Sequence, residues 1–393
     1  MTIDQVLTRA VEKVLPSKQG LKKLMEKKKI RLYLGVDPTA TQLHLGHTVM
    51  IRKLQQFADL GHEVIFLFGT GTVLVGDPSE RKTSRKLITE TEVKLNMKTW
   101  KQQISPILDF KKVRTMKNGD WLTKLTLKDI IKIASNISAI QLFKRDSFQK
   151  RLQKGDTVWY HETMYPLLQG YDAVHMDVDL QIGGTDQEFN MLIGRELQKK
   201  MNNREKFVLT GKMIMGTDGK KMSKTSNNCI WLTDTPEDMF GKLMKVQDQL
   251  LPDYFEFFTD KPMEEINQLK QNLKANKADP LQQKKHLAFN ITSQFHGKTK
   301  AQAAQAHFEK VFQNRGLPTK IPSFPLTKLP KAINIIDLLE KTKLAPSRSD
   351  AKRLVEQGGV KLNQQKTTQI SAKITLKPND ILQVGKRRFI KFK

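Results

Sequence analysis

Apolar residues crowd into short runs near the start of the chain. Ile30–Val36 (IRLYLGV) is rich in apolar residues, as expected of a strand in a sheet covered on both faces. Over 46–60 the apolar positions recur at helical spacing, through Val49, Met50, Leu54, Phe57 and Ala58, and Gly61 stands where a helix stops. Glu63–Phe68 (EVIFLF) then reads as a second covered strand. Strand, helix and strand in this order predict a βαβ unit and a parallel sheet. A second such region is expected at 174–197. There Val174, Met176, Val178, Leu180 and Ile182 alternate with polar residues at strand period, and Gly183 and Gly184 follow. Thr185 and Glu188 are spaced as a capping box opening a helix with Phe189, Leu192, Ile193 and Leu197 on one face.

From about 233 to 316 the pattern is helical. Thr235-Pro236 and Asp279-Pro280 are N-cap and first-turn signals, and Gly316 is placed to close the last helix. A Pro-punctuated stretch (GLPTKIPSFPLTKLP) reads as a linker. The remainder reads as a small separate domain in which Ser347 and Asp350 frame a helix start, Gly358-Gly359 end that helix, and short β-like runs follow. The expected organisation is a sheet-based α/β domain over 1–232, an α-helical domain over 233–316, a linker over 317–332 and a small α+β domain over 333–393.

Charge changes this picture. The 393 residues carry 68 Lys+Arg against 40 Asp+Glu, a formal +28, which points to a polyanionic partner, with nucleic acid the first candidate. The tail is disproportionately basic, with 15 Lys and Arg against 5 Asp and Glu over 331–393. One cysteine, Cys229, excludes a disulfide framework and a Cys-rich zinc site. No run approaches the length of a membrane span, and the N-terminal segment, with Asp4 and Glu12 and no apolar core, does not resemble a signal peptide. A soluble cytoplasmic protein is expected.

Two constellations carry candidate chemistry. Asp37-Pro38-Thr39 and His44-Leu45-Gly46-His47 lie between the first strand and the first helix. Open α/β sheets bind ligands at the carboxyl ends of their strands. Two imidazoles there, beside free N–H groups of a helix N-terminus, suit phosphate oxygens, and Gly46 leaves room for close approach. The second is Gly219-Lys220-Lys221-Met222-Ser223-Lys224-Thr225, flanked by Gly, Ser and Asn, which reads as a loop. Its lysines could close over a triphosphate.

HLGH and KMSKT together, with LYLGVDPTATQLHLGHT, VGDPSERKTSR, YPLLQGYD, LQIGGTDQ and SRSDAKRLVEQGGVKLN in order, resemble the class I aminoacyl-tRNA synthetases, and among them the bacterial-type tyrosyl-tRNA synthetases. The resemblance implies a Rossmann-like catalytic domain with ATP and tyrosine as substrates, Mg²⁺ accompanying ATP, tRNA(Tyr) as partner, and a homodimer. It implies that His44, His47 and Thr39 hold the ATP phosphates, with Lys221 and Lys224 closing on them. Asp37, Gly46, Gly183, Gly184, Asp186, Met222 and Ser223 would bind the rest of ATP. Tyr33 and Asp172 would bind the tyrosine phenol, Tyr165, Asp77 and Gln169 its amino group, and Gln187 would lie near its carboxylate, with Asn118 and Gln181 lining the pocket. Arg81 and Arg85 would reach pyrophosphate or the acceptor end of the tRNA, and Arg348, Lys352 and Arg353 tRNA phosphates.

Independently of the family, Tyr165, Gln169 and Asp172 are spaced i, i+4, i+7 and share one helix face, with Pro166 either kinking that helix or in its first turn. The chain departs from the family pattern at Leu45 of HLGH, at Thr225 where serine is usual, at Glu80 where glycine is usual, and at Thr70 where aspartate is frequent. The residues alone also admit a nucleotidyltransferase acting on a small molecule, or a noncatalytic RNA-binding protein. Within the synthetases, tryptophan is the rival substrate.

Overall fold

Strand order in the central sheet places the site, and the reasons for that order begin with the covered strands. The computed structural model describes residues 1–78, 88–222, 228–313, 321–330, 332–385 and 388–393. These fall into two compact units, 1–304 and 305–393. In the first, β1 (Val11–Leu15), β2 (Arg31–Val36), β3 (Glu63–Phe68), β4 (Val113–Lys117), β5 (Leu180–Gly184) and β6 (Phe207–Gly211) form one sheet in the order β1-β6-β5-β2-β3-β4. Only β1 runs antiparallel to its neighbour. The chain winds one way from β2 to β4 and the other way from β5 to β6. The carboxyl ends of β2 and β5 therefore flank a topological switch point, where such sheets open a crevice. In β3 every residue but Glu63 is buried, as its apolar run predicts.

Helix α1 (Thr48–Asp59) follows a short 3-10 turn at Leu45–His47 and buries Val49, Ile51, Leu54 and Phe57. Gly61, at φ +81°, turns the chain into β3. Helix α2 (Glu90–Ile104) opens on a Thr89–Glu92 capping box. Helix α3 (Tyr160–Met176) covers Tyr33, Ile65 and Leu67 with Leu168, Ala173 and Met176. It runs on through Pro166, which lies inside the helix. Helix α4 (Glu188–Asn202) crosses α3 where two glycines meet: a Cβ on Gly170 would stand 3.1 Å from the Gly194 Cα.

Two expectations fail here. Val174 and Met176 belong to α3, and the strand begins only at Leu180, after Asp177 ends the helix in the left-handed conformation. The reason is burial on several sides. Wedged against the sheet and α4, the helix shows no single apolar stripe, and its last turn alternates by chance. The Thr185–Glu188 capping box is not formed either. Thr185–Gln187 make a 3-10 turn without a side-chain cap, and Glu188 reaches instead to Lys13, 3.1 Å away.

The Thr235-Pro236 and Asp279-Pro280 starts are as expected, opening helices at Pro236–Leu243 and Pro280–His296. The helix end expected at Gly316 lies outside the described residues. This helical region is tied to the sheet by Arg9, which is 5 % exposed and donates to the carbonyls of Phe255, Glu256, Thr259 and Lys261. Phe255 and Glu256 lie in the last turn of the helix Leu251–Phe258 and Thr259 and Lys261 follow it, so the guanidinium gathers the carbonyls at this helix end.

In the second unit, 365–366, 360–362, 381–384, 388–392 and 323–324 form a sheet in that order, over a core that includes Leu338, Leu339, Ala351, Val355 and Phe392. Ser323–Phe324 come from the Pro-punctuated stretch and pair in parallel with Lys391–Phe392. The helix Arg348–Glu356 is capped by Ser347, whose hydroxyl accepts from the Asp350 N–H. Among the described residues no helix is long and apolar enough to cross a membrane.

Candidate active site

The cleft at the carboxyl ends of β2 and β5 has a floor, a rim and a mouth. On the floor, Tyr33 and Gln181 are register partners in β2 and β5, both 2 % exposed or less. Asp172 of α3 faces them. One Asp172 oxygen accepts from Asn118 Nδ2 at 3.0 Å and the other from Trp121 Nε1 at 2.9 Å. Burial pushes the Asp172 carboxyl up, and these two donors and Lys206 oppose that shift. The Tyr33 hydroxyl is pushed well above its ordinary range by burial and then by Asp172, so it stays a donor, aimed at the Gln169 carbonyl 3.5 Å away.

The rim is acidic. Asp37 accepts from the Thr72 hydroxyl at 2.8 Å and the Tyr165 hydroxyl at 2.9 Å. Asp77 accepts from Gln187 Nε2 at 2.6 Å and from Arg145 at 3.3 Å. Gln169 Oε1 is buried with no hydrogen-bond partner among the described residues. A buried acceptor left without a partner fits a donor such as an ammonium group. Gly184 leaves room for Asp186, whose Oδ1 would stand 2.4 Å from an added Cβ, and Asp186 itself is exposed.

At the mouth, backbone does most of the joining. The Leu45 N–H donates to the Ile230 carbonyl at 2.8 Å and the Leu232 N–H to the Leu43 carbonyl at 2.9 Å, with His44 and Trp231 bridged between them. This fastens HLGH to the segment that follows KMSKT. The two imidazoles lie 3.9 Å apart by centroid, and the His44 N–H donates to His47 Nδ1 at 3.2 Å. A Cβ on Gly46 would meet the His44 ring at 2.9 Å and Met222 Sδ at 3.4 Å, so this glycine lets the two motifs close together. Asn228 Nδ2 donates to Asp218 Oδ1 at 2.8 Å and to the Lys221 carbonyl at 3.1 Å, pinning the base of the lysine loop. Lys221 is exposed. From the other side, α2 supports 38–43: Asn96 donates to the Pro38 carbonyl, Trp100 to that of Ala40, and Gln103 to that of Thr41. Thr39 is exposed on this loop.

The structure thus brings together Tyr33, Asp172, Asn118 and Gln181; Asp37 and Tyr165; Asp77 and Gln187; and His44, His47, Gly46 and Met222. Gly183 lies beside Gln187, 3.5 Å from Cβ to Cβ if a side chain were added. Arg81, Arg85, Ser223 and Lys224, with Glu80 and Thr225, lie outside the described residues. Arg348, Lys352 and Arg353 are in the second unit and exposed, where Arg348 pairs with Asp337 and Arg353 with Asp350. Thr70 has a local task, since its hydroxyl accepts from the Gly119 N–H at 2.9 Å beside Asn118.

Sequence reading missed three side chains. Trp121 binds Asp172, and its spacing of three from Asn118 was the available signal. Arg145 is 3 % exposed, faces Asp77 and lies between the Phe148 and Phe189 rings. Lys206 is wholly buried and donates to Gln181 Oε1 at 2.5 Å. A lone Arg or Lys carries no mark of burial in a sequence.

A parallel sheet with a paired-histidine turn after β2, backbone-linked to the far side of a lysine loop after β6, defines a class I tRNA synthetase. The profile "tRNA synthetases class I (W and Y)" matches residues 25–313, and the profile "Tyrosine--tRNA ligase SYY-like C-terminal domain" matches 314–390. Tyrosine--tRNA ligase 2 of Vibrio cholerae is 42 % identical, covering 98 % of this chain and 96 % of that protein. The tyrosine--tRNA ligase of Thermotoga maritima is 41 % identical with the same coverage. The C-terminally truncated mitochondrial tyrosyl-tRNA synthetase of Aspergillus nidulans shares the fold, with a TM-score of 0.67 at 21 % identity over 79 % of this chain and 94 % of that one. So does the Archaeoglobus fulgidus tyrosyl-tRNA synthetase complexed with L-tyrosine, with a TM-score of 0.63 at 22 % identity over 78 % and 100 %. The chain belongs to the tyrosine–tRNA ligase family.

Proposed function

We propose that the protein activates tyrosine with ATP, releasing pyrophosphate, and transfers the tyrosyl group to the terminal adenosine of tRNA(Tyr). The observation that carries the assignment of substrate to site is the cleft floor. There a buried carboxylate and a buried hydroxyl stand together, with the unpartnered Gln169 Oε1 nearby. Tyrosine offers a phenol to the first pair and an ammonium to the last. Phenylalanine brings no hydroxyl to the remaining hydrogen-bonding capacity of Asp172 and Tyr33 and would press an apolar ring edge against these buried polar groups, which is costly. Tyrosyl-tRNA synthetases are the established example of rejection by polar groups left unpaired, strong enough to need no editing step.

In the first step the tyrosine carboxylate attacks the α-phosphorus of ATP in line. A P–O bond to the carboxylate forms and the bond to the β-phosphate bridging oxygen breaks, so pyrophosphate leaves with the electron pair. A carboxylate needs no general base, and catalysis is positioning plus charge stabilisation. In this reading His44, His47 and Thr39 hold the phosphates, and Lys221 and Lys224 meet the charge on the leaving pyrophosphate. Asp37, Gly46, Gly183, Gly184, Asp186, Met222 and Ser223 border the nucleotide. Tyr165, Asp77 and Gln169 take the amino group, and Gln187 lies near the carboxylate. Both oxygens of Asp37 already accept hydrogen bonds, so we place Mg²⁺ on the phosphates rather than in a carboxylate cage, and assign no zinc. In the second step a ribose hydroxyl of the tRNA displaces AMP from the tyrosyl carbonyl.

The helical region 233–316 then approaches the anticodon stem, 317–332 links, and 333–393 binds tRNA through Arg348, Lys352 and Arg353. Arg81 and Arg85 reach the acceptor end or pyrophosphate. A homodimer and a cytoplasmic location complete the reading. The dimer is supported by apolar side chains exposed between 127 and 160, notably Leu127 (75 %), Ile140 (74 %) and Trp159 (53 %), which a second copy would cover. Tyrosine-dependent exchange of labelled pyrophosphate into ATP tests the activity. Exchange with tryptophan and none with tyrosine would overturn it, and sedimentation as a monomer would overturn the dimer.

A further inference from the structure

The chain leaving β6 turns back on itself between 214 and 222. The Met222 N–H donates to the Ile214 carbonyl at 3.2 Å, the Gly216 N–H to the Lys220 carbonyl at 2.6 Å, and Met215 is bridge-paired with Lys221. The outer arm of this turn is gripped at three heights by side chains from the helical region. Lys212 Nζ donates to Glu256 Oε1 at 3.0 Å, the Tyr254 hydroxyl donates to the Met215 carbonyl at 2.8 Å, and Gln247 Nε2 donates to the Asp218 carbonyl at 2.9 Å. The carbonyl that Tyr254 holds therefore belongs to the residue standing opposite Lys221. We propose that Tyr254 is a positioning residue for tyrosine activation, with Gln247 its accessory: by fixing the outer arm of the turn they set where Lys221 meets the phosphates.

The proposal rests on the assignment of Lys221 to the leaving pyrophosphate. Tyr254 is 1 % exposed, and its ring meets that of Phe258 edge-on with centroids 5.2 Å apart, so its hydroxyl has a fixed place. The other aromatic positions of this helix, Phe255, Phe257 and Phe258, are phenylalanines, so packing alone does not ask for a hydroxyl at 254. Its one polar atom is spent on the turn. Gln249 Nε2 donates to Gln247 Oε1 at 3.0 Å, which leaves Gln247 Nε2 for the Asp218 carbonyl. Gly219, at φ +79°, admits this amide, since a Cβ there would stand 2.8 Å from Gln247 Oε1. On the return arm Asn228 donates to Asp218 Oδ1 and to the Lys221 carbonyl. The turn is held on both arms, and exposed Lys221 projects from a braced backbone. Such bracing matters because displacing a charge-stabilising group by about 1 Å can cost about 10²-fold in rate.

The test is a double-mutant cycle on the full chain, read as the rate of tyrosyl-adenylate formation per active site, the sites being counted by titration so that unfolded protein does not enter. Tyr254→Phe removes only the hydroxyl. It should lower that rate about tenfold and leave the tyrosine KM within about twofold of the parent. Gln247→Ala should lower the rate about threefold. In the Lys221→Ala background each substitution should cost less than about twofold, because no cation is left there to place. A parent-like rate for Tyr254→Phe would overturn the proposal. So would an undiminished loss in the Lys221→Ala background, which is what a general loosening of the fold gives. Lys221→Ala by itself separates the two readings. Unchanged adenylate formation there would sink the pyrophosphate role of Lys221 and this inference with it, whereas slowed formation with an additive Tyr254→Phe would sink this inference alone.

Discussion

At the cleft floor, Tyr33, Asp172, Asn118, Gln181 and Lys206 stand between 0 and 2 % exposed and are joined chiefly side chain to side chain. At the mouth, His44, His47 and Lys221 are half-buried or exposed, and what holds their loops is largely backbone: 43 to 232, 45 to 230, and Asn228 to the Lys221 carbonyl. The difference follows the chemistry. A phenol is told from a phenyl ring by one hydroxyl, which requires a dry site whose polar groups are pre-paired. A triphosphate brings its own charge and is bound and released each turnover, which suits donors on loops anchored at their bases.

The largest effect that would break this contrast is on the phosphate side. His44→Ala with Lys221→Ala removes the two groups proposed to stabilise charge, an effect of about 10²-fold or more for each. Exchange should fall about 10⁴-fold, while tyrosine binding, followed by equilibrium dialysis, stays near the parent value. Retained exchange would mean the mouth is not where charge develops. On the floor, Asp172→Asn keeps the shape but sets an amide against two N–H donors. It should lower kcat/KM for tyrosine by about 10² to 10³-fold, from an unpaired buried donor and a lost charged bond of about 3 to 4 kcal/mol together.

Next is alkaline stability. Burial pushes the hydroxyls of Tyr33, Tyr165 and Tyr254 up. Above pH 10 the unfolded chain loses these protons and the folded one keeps them, so stability falls as pH rises. With three groups the slope approaches about 4 kcal/mol per pH unit. Absorbance at 295 nm should show these three ionising only with loss of the circular dichroism signal, and ionisation of all five tyrosines in the folded state would contradict the dry surroundings of these three. The smallest effect is at the loop base. Asn228→Ala should slow adenylate formation about tenfold with little change in tyrosine KM, and an equal change in both would show that floor and mouth are mechanically one.

Much of this was legible in the chain. The covered strands Ile30–Val36 and Glu63–Phe68 and the turn at Gly61 needed only local pattern. HLGH and KMSKT were recognisable because each is a contiguous run of a few residue types, legible without knowing the fold. Val174 and Met176 misled because a helix buried on several sides has no stripe to display. Lys206, Arg145 and Arg9 were illegible for a different reason. Each is a buried cation satisfied by groups far away in the chain, Arg9 by carbonyls some 250 residues on. Nothing local separates such a residue from the many solvated lysines and arginines of a chain at +28.

The backbone link between residues 43–45 and 230–232 also sets an order of events during synthesis. The histidine turn emerges early, but its partner segment 230–232 is almost two hundred residues behind it. A ribosome must release nearly the whole first unit before the histidines gain their bracing and the lysine loop its anchor. Until then residues 43–45 are without the backbone partners that join the two motifs.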